Sequence, residues 1–289
     1  MPLHKTLFHD RTVISVKGDD RVTYLQGIVT QNISRPEADR GLYGALLTPQ
    51  GKLIADFFIL PVDGEILLDC NAEIGPKLLT RLKLYKLRAQ VEVTDVSEHW
   101  HVGAIWSSGE DAPLPNIPDS LATFDDPRLE KLGKRILIDD STRVDFAAIA
   151  ADETTPSAYE THCLLYGIPA FGSGFTSEQV FPLDANLDAL NGVDYKKGCF
   201  VGQEVASRMK RKGEVRKRTW VVTSEEGLLA PGQSIMSGET TIGEITAADR
   251  TNALALVRLD RLAKATEAFT AGGSIPVTLH QPAYLGDKA

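Results

Sequence analysis

Cysteine is scarce in this 289-residue chain, and the three that occur, Cys70, Cys163 and Cys199, lie far apart with no C-x-x-C pair among them. That scarcity argues against a disulfide framework and against a cysteine-built zinc site, so reduced thiols are expected. The six histidines include one i, i+2 pair, His99 and His101, and no metal-ligand spacing supported by carboxylates. No stretch reaches the roughly 18 uninterrupted apolar residues of a membrane span. The opening Met1-Pro2-Leu3-His4-Lys5 passes into polar residues without an apolar leader, so a cytoplasmic location without membrane association is expected. Tandem repeats and low-complexity tracts are lacking as well. With 43% hydrophobic and 24% charged residues, the composition is that of an ordinary globular protein. The length exceeds that of a typical single domain, so two or three compact units are expected.

A surplus of positive charge is also missing. The net charge of −8 disfavours general nucleic-acid binding. The distribution is uneven, however: Arg208, Lys210, Arg211, Lys212, Arg216, Lys217 and Arg218 are opposed only by Glu214, a local charge of about +6. This run reads either as a solvated turn between elements or as an anion-binding patch. RNA contact is poorly supported, because no aromatic residues interleave with the cations.

Thr12–Val16 reads as a strand, followed by a short helix carrying Val22, Leu25 and Ile28, capped by Asp19 or Asp20 and ending near Gly27. Leu42–Thr48, Leu53–Leu60 and Glu65–Cys70, separated by Pro49-Gln50-Gly51 and Asp63-Gly64, make an antiparallel meander. A helix with Leu78, Leu79, Leu82 and Tyr85 inward and a strand Val91–Val96 follow. Residues 107–127, with four prolines, read as a long excursion before the strand Arg135–Ile138 and a helix Pro156–Tyr166. Phe171–Asn186 reads as an irregular crossing. From Thr219 onward short β segments bounded by turn residues form a small barrel. Strands and helices mix without strict alternation, so the fold class is α+β. The expected units are residues 1–212, an α+β region of two modules, and residues 213–289, the barrel.

The most informative segment is Lys196-Lys197-Gly198-Cys199-Phe200-Val201-Gly202-Gln203-Glu204. Val201, Val205 and Met209 fall four apart, as on one face of a helix beginning near Gly202. A sulfur at that entrance, beside two lysines, is favoured as thiolate. Glycines on both sides leave room for a ligand or a partner backbone. The plainer alternative is a small buried hydrophobe.

The longer string Leu190-Asn191-Gly192-Val193-Asp194-Tyr195-Lys196-Lys197-Gly198-Cys199-Phe200-Val201-Gly202-Gln203-Glu204-Val205-Ala206-Ser207-Arg208-Met209 resembles the signature of the YgfZ-type folate-binding proteins. These are iron–sulfur cluster assembly or repair factors related to the aminomethyltransferase (T-protein) of the glycine cleavage system. The resemblance extends in order through Tyr24-Leu25-Gln26-Gly27 with Thr30, Pro49-Gln50-Gly51-Lys52, Asp126-Pro127-Arg128-Leu129, Gly167-Ile168-Pro169, Phe181-Pro182 and Ile242-Gly243-Glu244. It implies two intertwined α+β modules, a C-terminal β-barrel and tetrahydrofolate bound in a central channel. Where relatives carry an arginine that holds the folate glutamate end, this chain has Cys163. A cation of the 208–218 run is one replacement, since a carboxylate tail needs fixed cationic donors.

Cys199 is the expected reactive residue and the transient iron–sulfur ligand. Lys197, Gly198, Gln203, Glu204 and Arg208, from the motif, join Gln26 and Asp56 as expected folate contacts. Asp56 interrupts an apolar strand and reads either as a carboxyl that protonates a pterin amine or as an outward-facing strand residue. Glu204 reads equally as a first-turn helix residue, Gly27 as a helix C-cap, and Tyr24, Trp106 and Tyr159 as channel lining or core. The expected function is a folate-binding accessory factor in iron–sulfur cluster assembly or repair, not a conventional enzyme. It would work with assembly proteins or client enzymes, because one cysteine cannot hold a cluster alone. A tetrahydrofolate-dependent aminomethyltransferase or demethylase is the alternative, and a nucleic-acid-binding module stands behind both.

Overall fold

The computed structural model describes residues 2–34, 40–62, 64–109, 114–211 and 215–288. The chain divides into two compact units. The first comprises Met1–Leu47, Ile54–Tyr159 and Asn191–Val201, the second Thr48–Leu53, Glu160–Leu190 and Gly202–Ala289.

The first unit holds two five-stranded sheets among the described residues. One runs in the order Leu42–Leu47, Leu53–Val62, Glu65–Asn71, Arg11–Lys17, Glu92–Asp95. The expected meander is therefore present, with Arg11–Lys17 added beside its third strand. The other runs Asp152–Glu153, Leu3–Phe8, Trp100–Ser107, Lys134–Asp139, Ala122–Asp125. The strand Ala122–Asp125 falls inside the expected excursion, paired with Lys134–Asp139.

Leu3–Phe8 escapes a reading by alternation because Lys5 and Thr6 are both buried. The Lys5 ammonium donates to the carbonyls of Phe146, Ala147 and Ile149 at 3.2, 2.8 and 2.9 Å. It thereby satisfies the open C-terminal end of the helix Arg143–Ala148. Both sheets contribute to a buried charge cluster: Arg11 and Arg135 both donate to Asp69, and the Arg135 guanidinium lies 4.0 Å from the Phe58 ring centroid.

The helix Arg21–Ile28 forms as expected, with its ends differing from the expectation. Asp20 stands at the N-cap without a side-chain capping bond, and its carboxylate accepts instead from the Gln90 N–H at 2.7 Å. Gly27 lies inside the helix and Val29 is the C-cap, so the glycine C-cap is corrected. Val29 is extended and hands the chain directly into a bridge with Leu46, which leaves no left-handed residue for glycine to serve.

In the second unit, Lys217–Thr223, Asn252–Arg258, Thr240–Asp249, Ser234–Ser237, Phe269–Ala271 and Ile275–His280 close into a barrel. Val222, Ile235, Ile242, Ile245, Ala253, Ala255 and Val257 fill its interior. The crossing before it is held at Asn186, whose amide donates to the Thr219 carbonyl at 2.8 Å and the Tyr284 hydroxyl at 2.9 Å. The turn after Thr48 places Gly51 at φ +80°, where a β-carbon would stand 2.9 Å from the Val205 side chain of the helix Gln203–Arg211. Two segments singled out in the sequence thus meet. Among the described residues no helix is long and apolar enough to cross a membrane.

Candidate functional site

The loop that carries Cys199 is fastened to the exit of the first helix. Thr30 is buried in the apolar run Ile28-Val29-Thr30 because its hydroxyl has partners on both sides. It donates to the Gly192 carbonyl at 2.7 Å and accepts from the Ala45 N–H at 2.8 Å. The Asp194 N–H reaches the Thr30 carbonyl at 3.0 Å. The Gln31 amide donates to the Asn191 carbonyl at 2.6 Å, and the Asn191 amide donates to the Pro127 carbonyl at 2.9 Å. Segments near residues 30, 127 and 191 are thereby joined within one unit.

Lys197 completes the fastening. Its side chain is buried, and the ammonium donates to the carbonyls of Val29 at 2.7 Å and Gln31 at 2.6 Å. It also stands 5.3 Å from the centroid of the buried Phe200 ring. Burial pushes its pKa down to about 8, with Asp194 opposing. Lys197 and Phe200 therefore point inward while Gly198 and Cys199 between them are exposed. A β-carbon at Gly198 would meet nothing within 4 Å, so open space surrounds the backbone beside the thiol. Cys70 and Cys163 are buried, and desolvation pushes the Cys70 thiol up to about 12.

The helix begins at Gln203, after the left-handed Gly202 at φ +79°. Three residues therefore separate Cys199 from it, and the thiol lies in the preceding turn segment. Glu204 is exposed in its first turn, the position that suits a carboxylate. Gln203 is half-buried and Arg208 exposed on the same helix.

The basic run does not continue as a solvated patch to its end. Arg218 is buried, donating to the Leu183 carbonyl and both carboxylate oxygens of Asp188, and Lys212 lies outside the described residues. Arg218 is thereby committed away from any folate tail. Cys163 is buried in the helix Pro156–Leu165.

Asp56 is buried and accepts from the Tyr43 hydroxyl at 2.9 Å, so the outward-facing alternative is corrected. Burial, with the adjoining Asp56 charge, holds the Tyr43 phenol well above its ordinary pKa. The Arg128 guanidinium lies 5.6 Å from the Tyr43 ring centroid and pairs with Asp126, which also accepts from the Tyr159 hydroxyl at 3.1 Å. Tyr24, Trp106 and Tyr159 are core residues by burial. The side-chain amide of Gln26 is occupied, donating to Asn32 at 3.1 Å while its carbonyl accepts from the Ile33 N–H at 2.8 Å.

Tyr43 and Gln31 were not among the expected site residues. For Tyr43 the signal available was a hydroxyl inside the apolar strand Leu42–Leu47, which must find a partner when buried; Gln31, half-buried between Thr30 and Asn32, offered none. The second unit carries a separate cleft of about 470 Å³, with Phe175, Val180, Lys217, Glu244, Leu256 and Arg258 in its lining. None of the expected site residues lines it. Among the described residues no group of three or more His, Cys, Asp or Glu is placed to hold a metal ion.

Residues 216–287 match the family described as the CAF17 C-terminal beta-barrel domain. The glycine cleavage system aminomethyltransferase T from Bartonella henselae superposes with a TM-score of 0.78 at 13% identity, over 98% of this chain and 86% of that one. The fold is thus the aminomethyltransferase-like α+β fold with a C-terminal barrel. In sequence, the chain is 35% identical over 221 residues to the mitochondrial iron–sulfur cluster assembly factor IBA57 homolog of Mycosarcoma maydis, covering 72% of this chain and 54% of the relative. The corresponding protein of Neurospora crassa is 33% identical over 232 residues, covering 74% and 52%. The chain therefore spans about half the length of these curated relatives. Both are mitochondrial by name, which overturns the cytoplasmic expectation: that reading rested on the lack of an apolar leader, a feature that does not specify compartment. These sequence relatives are iron–sulfur cluster assembly factors by name, and this chain has an aminomethyltransferase-like fold.

Proposed function

We propose that the chain is a tetrahydrofolate-binding accessory factor in iron–sulfur cluster assembly or repair, with the Cys199 thiolate as a transient ligand for iron or sulfur. One observation carries the reading. Of the three thiols only Cys199 is exposed, and it sits between two inward-turned side chains that fix its loop. A thiolate is a soft ligand suited to iron. The other ligands come from a partner protein or a small thiol, and the assembly role named for the relatives is consistent with such a partnership.

The fold family implies tetrahydrofolate, and the residues suit its ring end. Asp56 is a buried carboxylate held by the Tyr43 hydroxyl, with Arg128 over the same ring, and a carboxylate is an acceptor suited to the amine and amide N–H groups of a pterin. When bound, the group supplies a one-carbon carrier or a rigid wedge. Asp56 then holds a proton or hydrogen bond at its carboxylate, and Tyr43 orients that carboxylate. At the glutamate end the fit is incomplete, because Cys163 offers no cation.

The buried Asp56–Tyr43 pair favours a second reading, folate-dependent one-carbon transfer, since a positioned carboxyl is what such chemistry needs. Two variants separate the readings. Cys199→Ser is expected to abolish support of iron–sulfur enzymes in a reconstitution assay while leaving tetrahydrofolate binding intact. Loss of one-carbon turnover in Asp56→Asn, with Cys199→Ser fully active, would instead establish the transferase.

A further inference from the structure

The helix Gly75–Tyr85 turns Leu78 and Leu82 into the core. Its C-terminal end and the following turn combine two features. The first is charge. From Leu82 to Val91 the chain carries Lys83, Lys86 and Arg88 and no acidic residue, in a molecule of net charge −8.

The second feature is Leu87. It follows the C-cap Lys86 and adopts φ +48°, the left-handed conformation in which helices commonly end. Glycine adopts it without cost; among the described residues the non-glycine residues at positive φ are Leu87, Glu178, Asn186, Asn191 and Arg250, and Leu87 is the large hydrophobic one. A leucine there carries backbone strain, and at 87% exposure it recovers nothing by burial. Leu84, one turn earlier, is 62% exposed. A side chain that strains the fold and stands in water points to recognition.

We propose that Leu84 and Leu87, together with Lys83, Lys86 and Arg88, dock an acidic protein segment. The partner offers an apolar socket to Leu87 and carboxylates to the cations. Charge complementarity selects an acidic occupant. Two leucines make an interface anchor, whereas a helix lying in a bilayer needs a broad apolar face, and here the remaining leucines of that helix are buried or half-buried.

The test uses the full chain and a fluorescent acidic peptide with a leucine-lined face flanked by glutamates. A scrambled peptide of the same composition and vesicles containing phosphatidylglycerol are compared in parallel. The proposal expects the patterned peptide to bind in preference to both, and more weakly as salt rises. Leu87→Gly should weaken binding about tenfold yet unfold no earlier than the parent, because it relieves the backbone. Lys83→Glu combined with Arg88→Glu should weaken binding and flatten its salt dependence. Equal affinity for the scrambled peptide, stronger capture by vesicles, undiminished binding by Leu87→Gly, or earlier unfolding of that variant would each overturn the proposal.

Discussion

At the scale of single residues, exposure separates the three thiols. Cys199 is open to solvent, Cys163 is buried, and Cys70 is sealed with its thiol pushed up to about 12. Iodoacetamide applied to the native protein should therefore modify Cys199 first, with Cys70 reacting only on unfolding; peptide mass spectrometry reads the order directly. Lys197 lends itself to a sharper test. Lys197→Met strands the Val29 and Gln31 carbonyls and should cost about 1–3 kcal/mol in denaturant unfolding. The pH dependence has a definite sign. The folded pKa of about 8 lies below the unfolded lysine value of 10.5, so between them the unfolded state binds more protons and stability rises with pH. The parent should gain on Lys197→Met across that window, in urea titrations repeated at several pH values. The cysteine motif was legible because its glycines, lysines and thiol are contiguous. The inward turn of Lys197 was not, because its acceptors lie 166 and 168 residues away and a lysine beside another lysine reads as solvated.

Elements are fixed here by a few unusual contacts. Gly51 sits at φ +80° against Val205, so Gly51→Ala combines backbone strain with a clash and should destabilise by about 1–3 kcal/mol; a shift in the urea midpoint checks this. Between the two sheets of the first unit, burial pushes the Asp69 carboxyl up, but Arg11 and Arg135 outweigh it and hold it below the usual carboxylate range. Its stabilisation is present above the ordinary carboxylate pKa and is lost as pH falls through the folded value. Asp69→Asn should cost about 3 kcal/mol or more, by leaving the buried Arg135 and the half-buried Arg11 guanidiniums short of their counter-charge. It should also flatten the acid limb of the stability profile. Barrel strands and the meander were readable from alternation and turn residues. Leu3–Phe8 was not, since its buried Lys5 answers helix carbonyls more than 140 residues away. The segment 107–127 hid Ala122–Asp125 because its prolines dominate the local pattern.

For the molecule as a whole, charge and topology serve different ends. The barrel and paired sheets reproduce an aminomethyltransferase-like frame at only 13% identity, which shows that burial pattern, not residue identity, carries the fold. What the frame presents is specific: an exposed thiol on a clamped loop, a buried Asp56–Tyr43 pair, and a cationic leucine-bearing helix. The anchoring of residues 191–197 onto Val29, Thr30 and Gln31 was beyond sequence reasoning, although both segments had been singled out, because hydrogen bonds between distant segments leave no periodic trace. The central claim is that the Cys199 sulfur takes part in handling iron and sulfide. Anaerobic absorption and circular dichroism spectra of the protein mixed with ferrous iron, sulfide and glutathione, with and without tetrahydrofolate, test it most directly. A visible charge-transfer band that is present in the parent and lost in Cys199→Ser is the expected result; a band of equal intensity in both proteins would contradict the account.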